Sequence, residues 1–100
     1  MREKTNHDVD ACQICKEMSG ELKDLVGWLS GGELNPAQFA ATVMMLEKSK
    51  LLRYGLKLSS AISKEHMVHF SLRFADTDEL CASMDVNPQT GRIDVQLACA

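Results

Sequence analysis

The sequence predicts an α+β fold: an N-terminal helical hairpin packed on one face of a four-stranded antiparallel meander, in a two-layer ααββββ sandwich. Two observations predict it. Apolar residues recur every third or fourth position up to Gly55 and every second position after it, which is the change from helix to strand. The later segments are joined by links that are too short for a parallel crossover, so neighbouring strands must run antiparallel.

The first helix is expected to begin at Asp8 or Asp10, since an aspartate side chain accepts from the free N–H groups of a helix start. Gly31 and Gly32 follow its end, where glycine readily adopts the left-handed backbone. Trp28 lies beside the apolar stripe and is expected to cover the core. That stripe consists of Ala11, Ile14, Cys15, Met18, Leu22, Leu25 and Leu29.

The second helix has a well-defined start. Asn35 suits the N-cap, Pro36 suits the first helical position, and Gln38 completes a capping-box pattern with Asn35. We expect this helix to continue to about Gly55.

Four alternating segments follow, and one face of each is apolar. The turn at residues 87–91 is expected to be a type I turn that closes with a left-handed Gly91. The side chains expected to face the helices include Leu56, Leu58, Ile62, Val68, Phe70, Leu72, Phe74, Leu80, Ala82, Met84, Val86, Ile93, Val95, Leu97 and Cys99. The opposite face is expected to carry Lys57, Ser59, His69, Ser71, Arg73, Ser83, Asp85, Arg92, Asp94 and Gln96.

The 100 residues are enough for one domain, which we place at residues 8–100 behind a flexible tail at residues 1–7. The formal net charge of −3 and the lack of a basic stripe argue against a nucleic-acid partner. Apolar runs are too short for a membrane span. Because the first residues are polar, we expect no signal peptide, a cytoplasmic location and reduced cysteines.

Cys12 and Cys15 form a C-x-x-C motif, whose spacing would let two thiolates share a metal ion or form a redox disulfide. A structural zinc site needs four ligands, and no second ligand pair follows at zinc-finger spacing. Cys15 also belongs to the apolar stripe. We therefore expect small apolar helix residues here and no cofactor or metal. Cys12 and Cys15 remain candidate ligands, with His7 or a second copy completing the site.

Other groups of reactive side chains have simpler explanations. His66 and His69 are three positions apart, so on a strand they point to opposite faces. Cys81 and Cys99 are likewise expected on opposite faces, which argues against a disulfide between them. The acidic turn at residues 76–79 lacks the spacing of a calcium-binding loop.

No motif for nucleophilic catalysis or phosphate binding is present in the sequence, so we do not expect an enzyme. The sequence predicts a non-catalytic interaction module: an adaptor, or an inhibitor or regulator of a larger protein, of phage or immunity type among others. The partner is expected to be another protein, and a homodimer could form through an edge strand or the polar sheet face. The alternative is a metal- or redox-linked protein that uses Cys12 and Cys15. The predicted contact residues are His69, Ser71, Arg73, Asp85, Arg92 and Asp94.

Overall fold

The computed structural model describes the backbone of residues 2–98 and the side chains of residues 12–98. Three helices precede four strands, and the helices contact the sheet, which confirms the predicted α+β arrangement. The elements are α1 (Arg2–Leu29), α2 (Pro36–Leu46), α3 (Lys48–Arg53), β1 (Leu56–Ile62), β2 (Val68–Phe74), β3 (Leu80–Val86) and β4 (Ile93–Leu97).

The helical part differs from the prediction in two details. α1 begins at Arg2 rather than at Asp8 or Asp10, so the backbone of residues 2–7 is helical. The segment after Asn35 is divided at Glu47, whose φ of −95° and ψ of 1° separate α2 from α3.

The predicted capping box at the start of α2 is confirmed. The backbone N–H of Gln38 donates to Oδ1 of Asn35 at 2.8 Å, and the N–H of Asn35 donates to Oε1 of Gln38 at 3.1 Å. Two of the N–H groups at this helix start are therefore satisfied by side chains.

The sheet is a meander in the order β1-β2-β3-β4, with every neighbouring pair antiparallel. The helices cover one face, and the core lies between them and the sheet. The largest fully buried side chains are Phe39, Phe70, Met18, Leu22, Leu56, Leu72, Met84, Val26, Val43, Val68, Val86 and Cys15.

A β-bulge in β3 overturns the predicted orientation of two residues. Leu72 pairs with Ala82 and Arg73 pairs with Leu80, so Cys81 is an extra residue without a partner in the register. As a result Cys81 is 1% exposed and faces the core, whereas Leu80 is 40% exposed.

The inward orientation of Cys81 allows a disulfide with Cys15 of α1, with a Cα–Cα distance of 5.6 Å. Cys12 is disulfide-bonded as well. The prediction of reduced thiols was therefore wrong for these three cysteines. The bulge turns a cysteine that the alternation placed outside into a covalent link between the first helix and the third strand.

The end of α1 lies against the β3–β4 turn. The N–H of Gly31 donates to the carbonyl of Pro88 at 3.0 Å, and Gly91 has the predicted left-handed backbone, with φ of +80°. A Cβ on Gly91 would lie 2.5 Å from Oγ of Ser30. This turn therefore needs glycine both for its backbone conformation and for the close approach of α1.

An ion pair joins α1 to α3, where Nζ of Lys50 lies 2.6 Å from the carboxylate of Glu21. Burial and the nearby Glu21 raise the pKa of Glu47, and Lys50 partly opposes this shift. Among the described side chains, Glu21, Glu47 and Lys50 therefore form a small charged cluster beside the apolar core of the helical layer.

We expect Gly91→Ala to destabilise the fold more than Gly55→Ala. Both glycines have positive φ, of +80° and +71°, so each alanine costs about 1–2 kcal/mol in backbone strain. Only Gly91 adds the collision with Ser30, because the space around Gly55 is open within 4 Å. Urea denaturation of the two variants tests this, and equal losses would contradict the close contact between α1 and the turn.

Replacing Cys15 and Cys81 together by alanine should lower the free energy of unfolding by about 4 kcal/mol. The bond closes a loop between residues 66 positions apart, and its loss frees the unfolded chain. Denaturation of the oxidised wild type and the double variant measures the difference. An unchanged stability would show that the bond does not fix α1 to the sheet.

Candidate interaction face

The sheet face opposite the helices, here called the outer face, carries polar and charged side chains in three rows that cross the strands. The register defines the rows, because directly paired residues share a face. One row is Ala61, His69, Asp85 and Asp94; the middle row is Ser59, Ser71, Ser83 and Gln96; the third is Lys57, Arg73 and Leu80.

The first row is acidic. Nδ1 of His69 lies 2.6 Å from Oδ1 of Asp85, and Asp94 is paired with Asp85 on the other side. Two carboxylates thus stand opposite each other on neighbouring strands, and His69 contacts one of them. Like charges in this position repel, so the row is suited to receive a cationic group.

Lys57 and Arg73 make the third row basic, and Asp78 in the turn between β2 and β3 compensates this charge. Nζ of Lys57 lies 2.7 Å from Oδ1 of Asp78, and Nη1 of Arg73 donates to the carbonyl of Asp78 at 2.9 Å. The hydrogen bond and the charge of Lys57 lower the pKa of Asp78. Asp78 has a φ of +64°, in the left-handed region that aspartate adopts more readily than most residues.

Three of the four side chains in the middle row are short serines, and the fourth is Gln96. Ser59 is exposed, while Ser71 and Ser83 are half-buried between the longer side chains of the flanking rows. The three hydroxyl groups between an acidic and a basic row can both donate and accept hydrogen bonds at low steric cost.

The structure places five of the six predicted contact residues on one face of the sheet. His69, Ser71, Arg73, Asp85 and Asp94 lie on the outer face, and Arg92 is exposed one residue before β4. Period-two alternation was sufficient to place His69, Ser71 and Asp85, since no bulge lies between residues 68 and 72 of β2 and their partners in β3.

The other predicted candidates do not form a site. Cys15 is joined to Cys81, so Cys12 and Cys15 are not a free dithiol, and Cys81 does not pair with Cys99, which lies outside the described residues. His66 lies in the β1–β2 turn, with φ of +66°, apart from His69 in β2. The side chain of His7 also lies outside the described part.

A set of apolar side chains on the helices is exposed, contrary to the apolar pattern read from the sequence. Trp28 is 78% exposed, so the prediction that it covers the core was wrong. At about 100° per residue, Trp28 shares its side of α1 with Glu21 and Asp24, and a strict helical wheel would have placed it in solvent. Met45 and Leu52 are 67% and 69% exposed beside β1.

We expect Lys57→Gln to raise the pKa of Asp78 towards its ordinary value of 3.8, because the main cause of the lowered value is removed. In the wild type the ionised Asp78 stabilises the fold above pH 3.8, and this contribution is lost as the pH falls through the lowered pKa. Carboxyl NMR titration measures the shift. Lys64→Gln, in the β1–β2 turn, should leave Asp78 unchanged, and an equal effect of both changes would refute the pairing.

Within residues 2–98 no helix is long and apolar enough to cross a membrane. The described side chains contain no group of three or more histidine, cysteine, aspartate or glutamate residues that could hold a metal ion. Comparisons with family models, curated proteins and solved structures yield no match to this chain.

Proposed function

We propose that this protein is a non-catalytic interaction module that binds another protein through its outer face, as an adaptor or as an inhibitor or regulator of a larger protein. One observation carries the proposal. All three helices lie on the opposite side of the sheet, and the outer face carries an ordered pattern of charges that no described element covers.

The charge pattern indicates the chemistry of the partner. Asp85 and Asp94 face each other, and a lysine or arginine placed between them would relieve their repulsion. Asp78 already compensates Lys57 and contacts Arg73 at the other end of the face. The partner surface is therefore basic opposite the acidic row and rich in hydrogen-bonding groups opposite the serines.

The compartment bears on the choice of partner. The sequence predicts the cytoplasm, where disulfides are rare because thiols are kept reduced. Cys15 and Cys81 are each 1% exposed, so a reductant reaches their bond only when α1 opens from the sheet. A cytoplasmic role depends on this protection, and an oxidising compartment would not require it.

The alternative, a metal- or redox-linked function of Cys12 and Cys15, requires both thiols to be released from their disulfides first. Metal analysis of reduced and oxidised protein distinguishes the two functions. Interaction through the outer face needs no reduction.

The test places a photoreactive residue at Ser71, in the middle of the outer face, and a second one at Lys16, on the exposed side of α1. We expect cross-links to a partner protein from position 71 and none to that partner from position 16. Equal cross-linking from both positions would contradict binding through the outer face.

Charge reversal gives a second readout. Arg73→Glu together with Asp94→Lys should weaken capture of that partner about tenfold, an effect of about 1.4 kcal/mol. Lys23→Glu with Asp24→Lys makes the same change of charge on exposed residues of α1 and serves as the control. If both pairs of changes have the same effect, the outer face is not the binding surface.

A further inference from the structure

β1 is an edge strand whose outer side offers backbone groups for pairing. It lies first in the order β1-β2-β3-β4, and none of the described strands pairs with its other side. The N–H of Ala75 donates to the carbonyl of Gly55, and the N–H of Ser63 donates to the carbonyl of Met67, both at 2.9 Å. Because hydrogen-bonded pairs alternate in an antiparallel ladder, odd-numbered residues of β1 bond to β2 and even-numbered residues direct their N–H and C=O groups outwards.

This edge lacks the features that normally prevent pairing. β1 contains no proline, its register with β2 has no bulge, and its one charged residue, Lys57, is paired with Asp78 of the same chain. An edge of this kind is a ready template for another strand.

A groove of about 470 Å³ runs beside the first half of the edge, between β1 and the helices α2 and α3. Its lining includes exposed apolar side chains, among them Met45 and Leu52. Ile62, at the other end of β1, is 43% exposed on the same face of the sheet. One strand thus carries an apolar groove at its start and an apolar side chain at its end.

We propose that this edge binds a second copy of the chain, by antiparallel pairing of β1 with β1 about a two-fold axis at Ser59. In this register Leu56 pairs with Ile62 of the second copy, and Leu58 with Ser60. All four residues direct their backbone groups outwards, so the pairing uses the free groups. Ile62 of each copy is then adjacent to Leu56 of the other and enters its groove.

Charge and overlap select this register. It places Lys57 opposite Ala61 of the second copy, whereas a shift that centres the pairing on Lys57 would bring the two lysines together and shorten the ladder. The centred register pairs all seven residues of each β1, at about 3.4 Å per residue. The same strand supplies both the side chain and the groove, which fits an isologous interface.

The dimer would extend the outer face without covering it. Ser59, Ser71 and Ser83 of one copy would continue into the same serines of the other, across a sheet of eight strands. The interaction face assigned above is thus doubled, and each inference can fail independently of the other.

The first test uses light scattering to measure the mass of the wild type, Ile62→Lys and Leu80→Lys, each at concentrations up to about 1 mM. Both residues are exposed to a similar extent, 43% and 40%, but Leu80 lies in β3, away from the edge. We expect a dimer for the wild type and for Leu80→Lys, and a monomer for Ile62→Lys. A monomeric wild type, or an Ile62→Lys variant that remains dimeric, would overturn the proposal.

The second test fixes the register. Ser59→Cys places two thiols at the two-fold axis, in a non-hydrogen-bonded pair whose Cα–Cα distance of about 4.5 Å allows a disulfide. Ala61→Cys, two residues along the same strand, should not cross-link to its copy. Mild oxidation and non-reducing electrophoresis measure the linked dimer, and equal cross-linking of both variants would exclude this register.

Discussion

The packing of α1 on β3 is the contact on which the rest of the structure depends. Cys15 and Cys81 join the two elements covalently, and Met18, Leu22 and Val26 continue the same buried side of the helix. With α1 placed over β3 and β4, the shorter helices α2 and α3 pack over β1. The whole helical layer is thereby confined to one face of the sheet, and the outer face and the β1 edge remain open.

Much of this arrangement could be predicted from the sequence, because each level of the fold leaves a local pattern. The change of period at Gly55, the capping box at Asn35 and the short turns predict the element order and the antiparallel meander. The same alternation places His69 and Asp85 on one face, where Nδ1 of His69 lies 2.6 Å from Oδ1 of Asp85.

The disulfide could not be predicted, because it depends on a single extra residue in β3. A bulge leaves the composition of a strand unchanged but reverses the face of every residue on one side of it. Leu80 therefore turns outwards and Cys81 turns towards α1. Strict alternation assigned both residues to the wrong face, and the expectation of a cytoplasmic location predicted reduced thiols.

Three features of the described residues depart from the local rules that favour a stable and soluble fold: the facing carboxylates of Asp85 and Asp94, the exposed Trp28 and the bare edge of β1. Departures from local rules of this kind are expected at functional sites, where binding rather than folding determines the residues. Two of the three lie on the surfaces assigned to partners.

The outer face and the edge of β1 are also related through the area that they offer to a partner. Four strands of seven residues or fewer present a face of roughly 400 Å². A standard protein interface buries about 800 Å² on each side. Pairing through β1 would bring two such faces into one surface of about that area, whereas the outer face of a single copy offers about half of it.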